Sequence, residues 1–125
     1  MIASNGSKKV LLLVDDDPSV RRGIHEECAS FCEQILHARS GQEALKIIQT
    51  QAIDVVVCDI QMPNGNGFWL VDQLVALKIR PLFYCYYSAV SKFAIPLAKK
   101  QQVDEVFAKY SEFEELCRWV QESLE

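Results

Sequence analysis

The feature that most constrains the fold is the alternation of short apolar runs with longer segments of helical periodicity. Val10–Val14 and residues 53–58 are mostly apolar runs, as expected for strands buried on both faces. Between such runs, apolar residues recur every three or four positions, a spacing typical of amphipathic helices. Five strand–helix units follow one another within 125 residues. This order predicts an α/β domain with a parallel sheet, right-handed crossovers and helices on both faces.

Local patterns mark the remaining elements. We expect the other strands at residues 34–38, 82–87 and 103–108. Three residues have side chains suited to cap helices, namely Asp17, Ser40 and Asn66. Pro96 falls inside the fourth helical segment, where a proline costs about 3 kcal/mol. We therefore expect that helix to be short, kinked or late in starting.

Charge and hydropathy exclude several classes of protein. The chain has 13 Lys+Arg against 17 Asp+Glu and a formal net charge of -4, which argues against direct nucleic-acid binding because that needs a basic surface. It has no apolar run near the roughly 20 residues of a membrane-spanning helix, and no apolar core of a signal peptide follows its start. We expect a cytoplasmic protein without membrane contact.

The length of the chain allows one domain. We expect residues 1–8 to form a flexible N-terminal tail and residues 9–125 to form the domain. The five cysteines are an odd number, and three of them lie inside apolar runs. Buried, reduced thiols are the expected state.

Acidic residues follow two of the predicted strands. Asp15, Asp16 and Asp17 come directly after the first strand, and Asp59 comes after the third. Because the carboxyl ends of parallel strands meet at one edge of a sheet, these side chains should converge. Asp17 is suited to cap a helix, but the other three carboxylates would repel one another unless a cation lies between them. A hard divalent ion such as Mg²⁺, which prefers oxygen ligands, fits this cluster.

The same edge should receive one hydroxyl and one ammonium group. Ser88 ends the fourth predicted strand, and Lys109 ends the fifth. The sequence therefore predicts a crevice in which carboxylates, a hydroxyl and a lysine lie together.

These residues resemble the motifs of the response-regulator receiver domain, the CheY-like family. The resemblance rests on Asp15-Asp16, on D-I-x-M-P-x-x-x-G-x-x-L starting at Asp59, on Ser88-Ala89 and on Lys109. It implies a flavodoxin-like (βα)5 fold, a doubly wound five-stranded parallel sheet with strand order 2-1-3-4-5. It also implies a phospho-acceptor domain of two-component signalling, which is no enzyme beyond its own phosphorylation and dephosphorylation.

The resemblance assigns the central roles residue by residue. It makes Asp59 the acceptor of a phosphoryl group from a sensor histidine kinase or a phosphotransfer protein. It places Mg²⁺ on the carboxylates of Asp15, Asp16 and Asp59, with Asp15 acting mostly through water, and on the backbone carbonyl of Gln61. The hydroxyl of Ser88 would bind a phosphoryl oxygen.

Lys109 has two expected partners in this family. Its ammonium would pair with Asp59 at rest and with the phosphoryl group afterwards.

The chain departs from the family pattern near Lys109. The family usually has Lys-Pro, but here Tyr110 follows, so the cis peptide bond of the family is not expected. Val106 stands where the family often has an aromatic residue that rotates on phosphorylation. The interval from Ser88 to Lys109 is one residue shorter than the family pattern. Tyr87 is therefore a second, weaker candidate for the hydroxyl position assigned to Ser88.

Two other functions remain open. The first is a pseudo-receiver that binds partners without phosphorylation, as the changes at Val106 and Tyr110 would allow. The second is a phosphatase similar to the haloacid dehalogenases, in which Asp15 would be the nucleophile of an Asp-x-Asp-x-Ser motif. A dimer through the fourth helix, fifth strand and fifth helix is a further possibility that the resemblance suggests.

Overall fold

The sheet has the strand order that the family resemblance implied. A computed structural model describes residues 9–125, so the expected tail, residues 1–8, lies outside the described residues. All pairings are parallel, and the order is β2-β1-β3-β4-β5. The strands are β1 (Val10–Val14), β2 (Gln34–Ala38), β3 (Val55–Cys58), β4 (Phe83–Ser88) and β5 (Glu105–Ala108).

Helices cover both faces of this sheet, which confirms the flavodoxin-like fold. They are α1 (Pro18–Cys28), α2 (Gly41–Thr50), α3 (Gly67–Leu77), α4 (Leu97–Lys100) and α5 (Phe113–Ser123). Single turns of 3-10 helix lie at Ala29–Phe31 and Lys92–Ala94. No helix in the described part of the chain has the length and apolar character needed to cross a bilayer.

Side chains of the strands alternate between two cores. Leu11 and Leu13 of β1 pack in the core that includes α1 and α5, whereas Leu12 and Val14 pack in the core that includes α2 and α3. The alternation follows from the period of two along a strand. All five cysteines are free thiols, and only Cys32 is not fully buried.

The boundaries of three strands differ from the prediction. β3 starts at Val55 rather than at residue 53, although Ile53 is buried. β4 starts one residue late, at Phe83, after the exposed Leu82, and it extends through Ser88, which pairs with β5. β5 starts two residues late because the Val103 amide still donates to the Lys100 carbonyl at the end of a helical turn.

The helix starts follow the predicted caps. The Asp17 side chain accepts from the Ser19 amide, that of Ser40 from the Glu43 amide, and that of Asn66 from the Trp69 amide. α4 has only four residues and begins directly after Pro96, which confirms the expected late start. The missing N–H of proline is harmless at a helix start but not in its interior.

Candidate functional site

Three carboxylates meet at the carboxyl edge of the sheet. Oxygen atoms of Asp15, Asp16 and Asp59 all lie within 4.8 Å of one another. Asp15 and Asp59 are only 4% and 6% exposed, whereas Asp16 is exposed. Since β1 and β3 are adjacent strands, the sheet order itself brings these groups together.

Backbone amides fix the two buried carboxylates. Oδ1 of Asp15 accepts from the Asp17 amide at 2.9 Å, and Oδ1 of Asp59 accepts from the Ile60 amide at 2.7 Å. Each carboxylate therefore keeps its second oxygen directed toward other partners. Burial raises the pKa of Asp15 more than the hydrogen bonds from Asp17 and Lys109 lower it.

Lys109 bridges the two buried carboxylates. Its Nζ lies 2.9 Å from Oδ2 of Asp15 and 3.0 Å from Oδ2 of Asp59. Burial by itself lowers the pKa of Lys109, but the hydrogen bonds to Asp15 and Asp59 outweigh it and raise the pKa above its ordinary value. Lys109 therefore stays charged and offsets the repulsion between the carboxylates. The expected pairing with Asp59 is present, and the contact with Asp15 is an addition to it.

The predicted hydroxyl group lies at the end of β4. Ser88 is 2% exposed, and its Oγ accepts from the Val90 amide at 3.1 Å. The hydroxyl proton is therefore free to be donated to another acceptor. Gln61, the predicted carbonyl ligand, follows Asp59 by two residues in an exposed turn.

Tyr87, the weaker candidate for that hydroxyl position, has a different partner. Its Oη accepts from the Tyr110 amide at 2.9 Å, and its ring packs in the core with α1 and α5. Tyr110 has a φ of 68°, and no peptide bond among residues 9–125 is cis. Sequence reasoning missed this contact. The one signal in the sequence for this contact was Tyr110 itself, which has an amide hydrogen where the family usually has proline.

The donor set of the crevice fits a magnesium ion. All three converging side chains offer carboxylate oxygens, and no nitrogen or sulfur ligand joins them among residues 9–125. Mg²⁺ takes one or two carboxylates and keeps several waters, which the exposed carboxylate of Asp16 allows. Lys109, which is half-buried, pairs with Asp15 and Asp59 but forms no ion pair with Asp16 among residues 9–125.

Relatives of known sequence share part of the chain. The sensor histidine kinase RcsC of Salmonella typhimurium is 33% identical over 77 residues, which are 62% of this chain and 8% of the kinase. The probable transcriptional regulator ycf27 of Cyanophora paradoxa is 34% identical over 68 residues, 54% of this chain and 28% of the regulator. The chain thus matches only a small part of these longer proteins.

Solved structures share almost the whole chain. The response regulator TrrA of Thermotoga maritima, in complex with Mg²⁺-BeF, has 30% identity and a TM-score of 0.79 over 92% of this chain and 98% of that chain. The receiver domain of the Francisella response regulator 1452 has 25% identity and a TM-score of 0.83 over 93% and 96%.

The sequence model of the response regulator receiver domain matches residues 11–121. This range includes every residue of the acidic crevice and the lysine that bridges it. This family match leaves the phosphatase interpretation without support. The chain therefore belongs to the response regulator receiver domain family.

Proposed function

We propose that the chain accepts a phosphoryl group on Asp59 and thereby changes its contacts with a partner. The donor is the phosphohistidine of a sensor histidine kinase or of a phosphotransfer protein, and the domain of residues 9–125 acts in the cytoplasm. The observation that carries the proposal is the Lys109 ammonium, which lies 3.0 Å from Asp59 within a cluster of three carboxylates. Such a constellation suits phosphoryl transfer, in which positioning and charge neutralisation supply most of the catalysis.

The transfer uses the Asp59 carboxylate as its nucleophile. A carboxylate oxygen forms a bond to phosphorus while the P–N bond of the donor breaks, and the electron pair leaves with the imidazole nitrogen. The Ile60 amide, 2.7 Å from Oδ1, holds the carboxylate in one orientation. Hydrolysis of the acyl phosphate later restores the carboxylate.

Two side chains of the crevice respond to the new charge. Lys109 exchanges its contact with Asp59 for one with a phosphoryl oxygen, which carries more negative charge. Ser88 turns its free hydroxyl proton toward another phosphoryl oxygen. Asp15, Asp16, Asp59 and the Gln61 carbonyl would hold Mg²⁺, which would further neutralise the charge of the transferred group.

Mass spectrometry tests the proposal directly. Incubation with Mg²⁺ and acetyl phosphate should add one phosphoryl mass, and site mapping should place it on Asp59. Asp59→Asn should stay folded and unmodified. Asp16→Asn should lose both Mg²⁺ binding and phosphorylation, and an unchanged Mg²⁺ affinity would contradict the metal assignment. Phosphorylation of Asp15 instead of Asp59 would favour the phosphatase interpretation.

A second candidate is a partner-binding domain that needs no phosphorylation. Val106 and Tyr110 favour it, because the switch aromatic and the proline of the family are both replaced. Absence of any modification under these conditions, together with intact partner binding, would select it.

The partner contact, including a dimer of this chain, is proposed on the face formed by α4, β5 and α5. Phe93 beside α4 is 92% exposed, and Leu97 and Tyr110 are 66% and 71% exposed. Lys92 Nζ lies 3.6 Å from the Glu112 carboxylate, so the turn that carries Phe93 lies beside the start of α5. Apolar side chains exposed together on one face mark interaction surfaces.

A further inference from the structure

The peptide that follows Lys109 has a backbone conformation that needs an explanation. Tyr110 has a φ of 68°, in the left-handed region, although it carries a large side chain. The Ser111 amide donates to the Lys109 carbonyl at 2.8 Å, so the chain makes a tight turn with Tyr110 at its centre. Left-handed backbone at a residue other than glycine is unfavourable and persists only where the surroundings hold it.

The Tyr87 hydroxyl is one of the groups that hold this turn, and it is the one that binds the Tyr110 amide. It accepts from the Tyr110 amide at 2.9 Å, and Tyr87 itself is 2% exposed. The Tyr110 side chain, at 71% exposure, offers no comparable anchor. A proline at position 110 has no amide hydrogen, so this hydrogen bond depends on the very replacement that separates the chain from the family pattern.

The same turn fixes the base of the Lys109 side chain. The Lys109 amide donates to the Ser88 carbonyl at 2.9 Å, and the next amide along the chain is bound by Tyr87. From this position the Lys109 ammonium reaches Asp15 and Asp59 together. Tyr87 also lines a small cavity together with Asp15 and Asp59, so it lies close to the crevice.

We propose that Tyr87 is a positioning residue for Lys109: its hydroxyl binds the Tyr110 amide and thereby keeps the Lys109 ammonium between Asp15 and Asp59. The role in phosphorylation rests on the proposed function, but the positioning itself does not.

The test compares Tyr87→Phe with two matched controls. Phenylalanine keeps the buried ring and removes only the hydroxyl. Tyr86→Phe removes a hydroxyl from the preceding residue of the strand, and that hydroxyl has no hydrogen-bond partner among the described residues. Tyr110→Gly keeps the amide that donates to Tyr87, and glycine adopts the left-handed backbone without strain.

Selective labelling of lysine amines is the first measurement. The Lys109 side chain is 11% exposed, so wild-type protein should react slowly with acetic anhydride at Lys109, relative to the exposed Lys78. Tyr87→Phe should raise the Lys109 labelling rate roughly fivefold, the factor of one ordinary hydrogen bond. Lys78 and both control variants should label as in the wild type. A purely structural role would change the unfolding midpoint without this selective effect.

The second measurement is the rate of phosphorylation by acetyl phosphate with Mg²⁺. Tyr87→Phe should lower it by a similar factor, roughly fivefold, and the controls should not. Equal Lys109 labelling in wild type and Tyr87→Phe overturns the positioning role, whatever the phosphorylation result. If labelling changes as expected but the wild type is never phosphorylated, the positioning role stands and the proposed function fails.

Discussion

Gly67, the first residue of α3, lies very close to the backbone of Asp59, the proposed phosphoryl acceptor. The Gly67 amide donates to the Ile60 carbonyl at 2.9 Å, which presses the start of α3 against the turn after β3. A Cβ at this position would lie less than 3.0 Å from the Asp59 carbonyl oxygen, 3.1 Å from Cα of Ile60 and 3.2 Å from the Tyr86 ring. Two of these three neighbours are backbone atoms that cannot rotate away.

Gly67→Ala should therefore destabilise the domain and disturb Asp59. Ordinary contacts need 3.4 Å or more, so the helix start or the Asp59 peptide must shift by well over 0.4 Å. Overpacking of this kind costs about 1 to 3 kcal/mol. The helical preference of alanine offsets at most about 1 kcal/mol of that cost.

Urea unfolding measures the effect. With a slope of about 2 kcal/mol per molar urea, a net loss of about 1 to 2 kcal/mol lowers the midpoint by roughly 0.5 to 1 M. The phosphorylation rate should also fall, because a small misplacement of a reacting group is costly.

Gly23→Ala is the matched control. Gly23 lies inside α1, and a Cβ there would meet no atom within 4 Å. The substitution should raise the midpoint, since alanine is favoured in helices by about 0.5 to 1 kcal/mol. If Gly67→Ala is as stable as the wild type and is phosphorylated at the wild-type rate, the close approach of α3 to Asp59 does not constrain the site.

Three further predictions concern other parts of the domain. Tyr86→Phe removes a buried hydroxyl that has no partner among the described residues, so it should raise the free energy of unfolding by about 1 kcal/mol in urea titrations. Burial first, and then the charges of Arg21 and His25, lower the pKa of His37. The unfolded chain therefore binds that proton more readily, and the urea midpoint should fall as the pH drops below about 6.5; His37→Gln should lose this dependence. Finally, beryllofluoride, which mimics the phosphoryl group, should change amide hydrogen exchange most in residues 87–97. Equal exchange there with and without beryllofluoride, alongside changes elsewhere, would contradict this prediction.

Much of the fold followed from the sequence because the signals are local. Short apolar runs and helical periodicity specify strands and helices through contacts within one element. The caps at Asp17, Ser40 and Asn66 and the late start of α4 after Pro96 likewise depend on neighbouring residues. Parallel order then predicted which edge would collect the carboxylates. The strand starts at residues 53, 82 and 103 were wrong because backbone pairing and turn geometry, rather than side-chain type, decide where a strand begins; Ile53 is buried and still precedes β3.

The partners of buried polar groups were decided by the tertiary structure. The family resemblance implied that Lys109 pairs with Asp59, but its equal contact with Asp15 depends on where three strands end relative to one another. The three consecutive polar residues after β1 look alike in sequence, yet Asp15 is buried and Asp16 is exposed. Tyr86 and Tyr87 are also adjacent in sequence, but alternation along β4 directs them into opposite cores. Only the Tyr87 hydroxyl meets a backbone amide, that of Tyr110, because Tyr110 lies in the turn that follows the neighbouring strand β5.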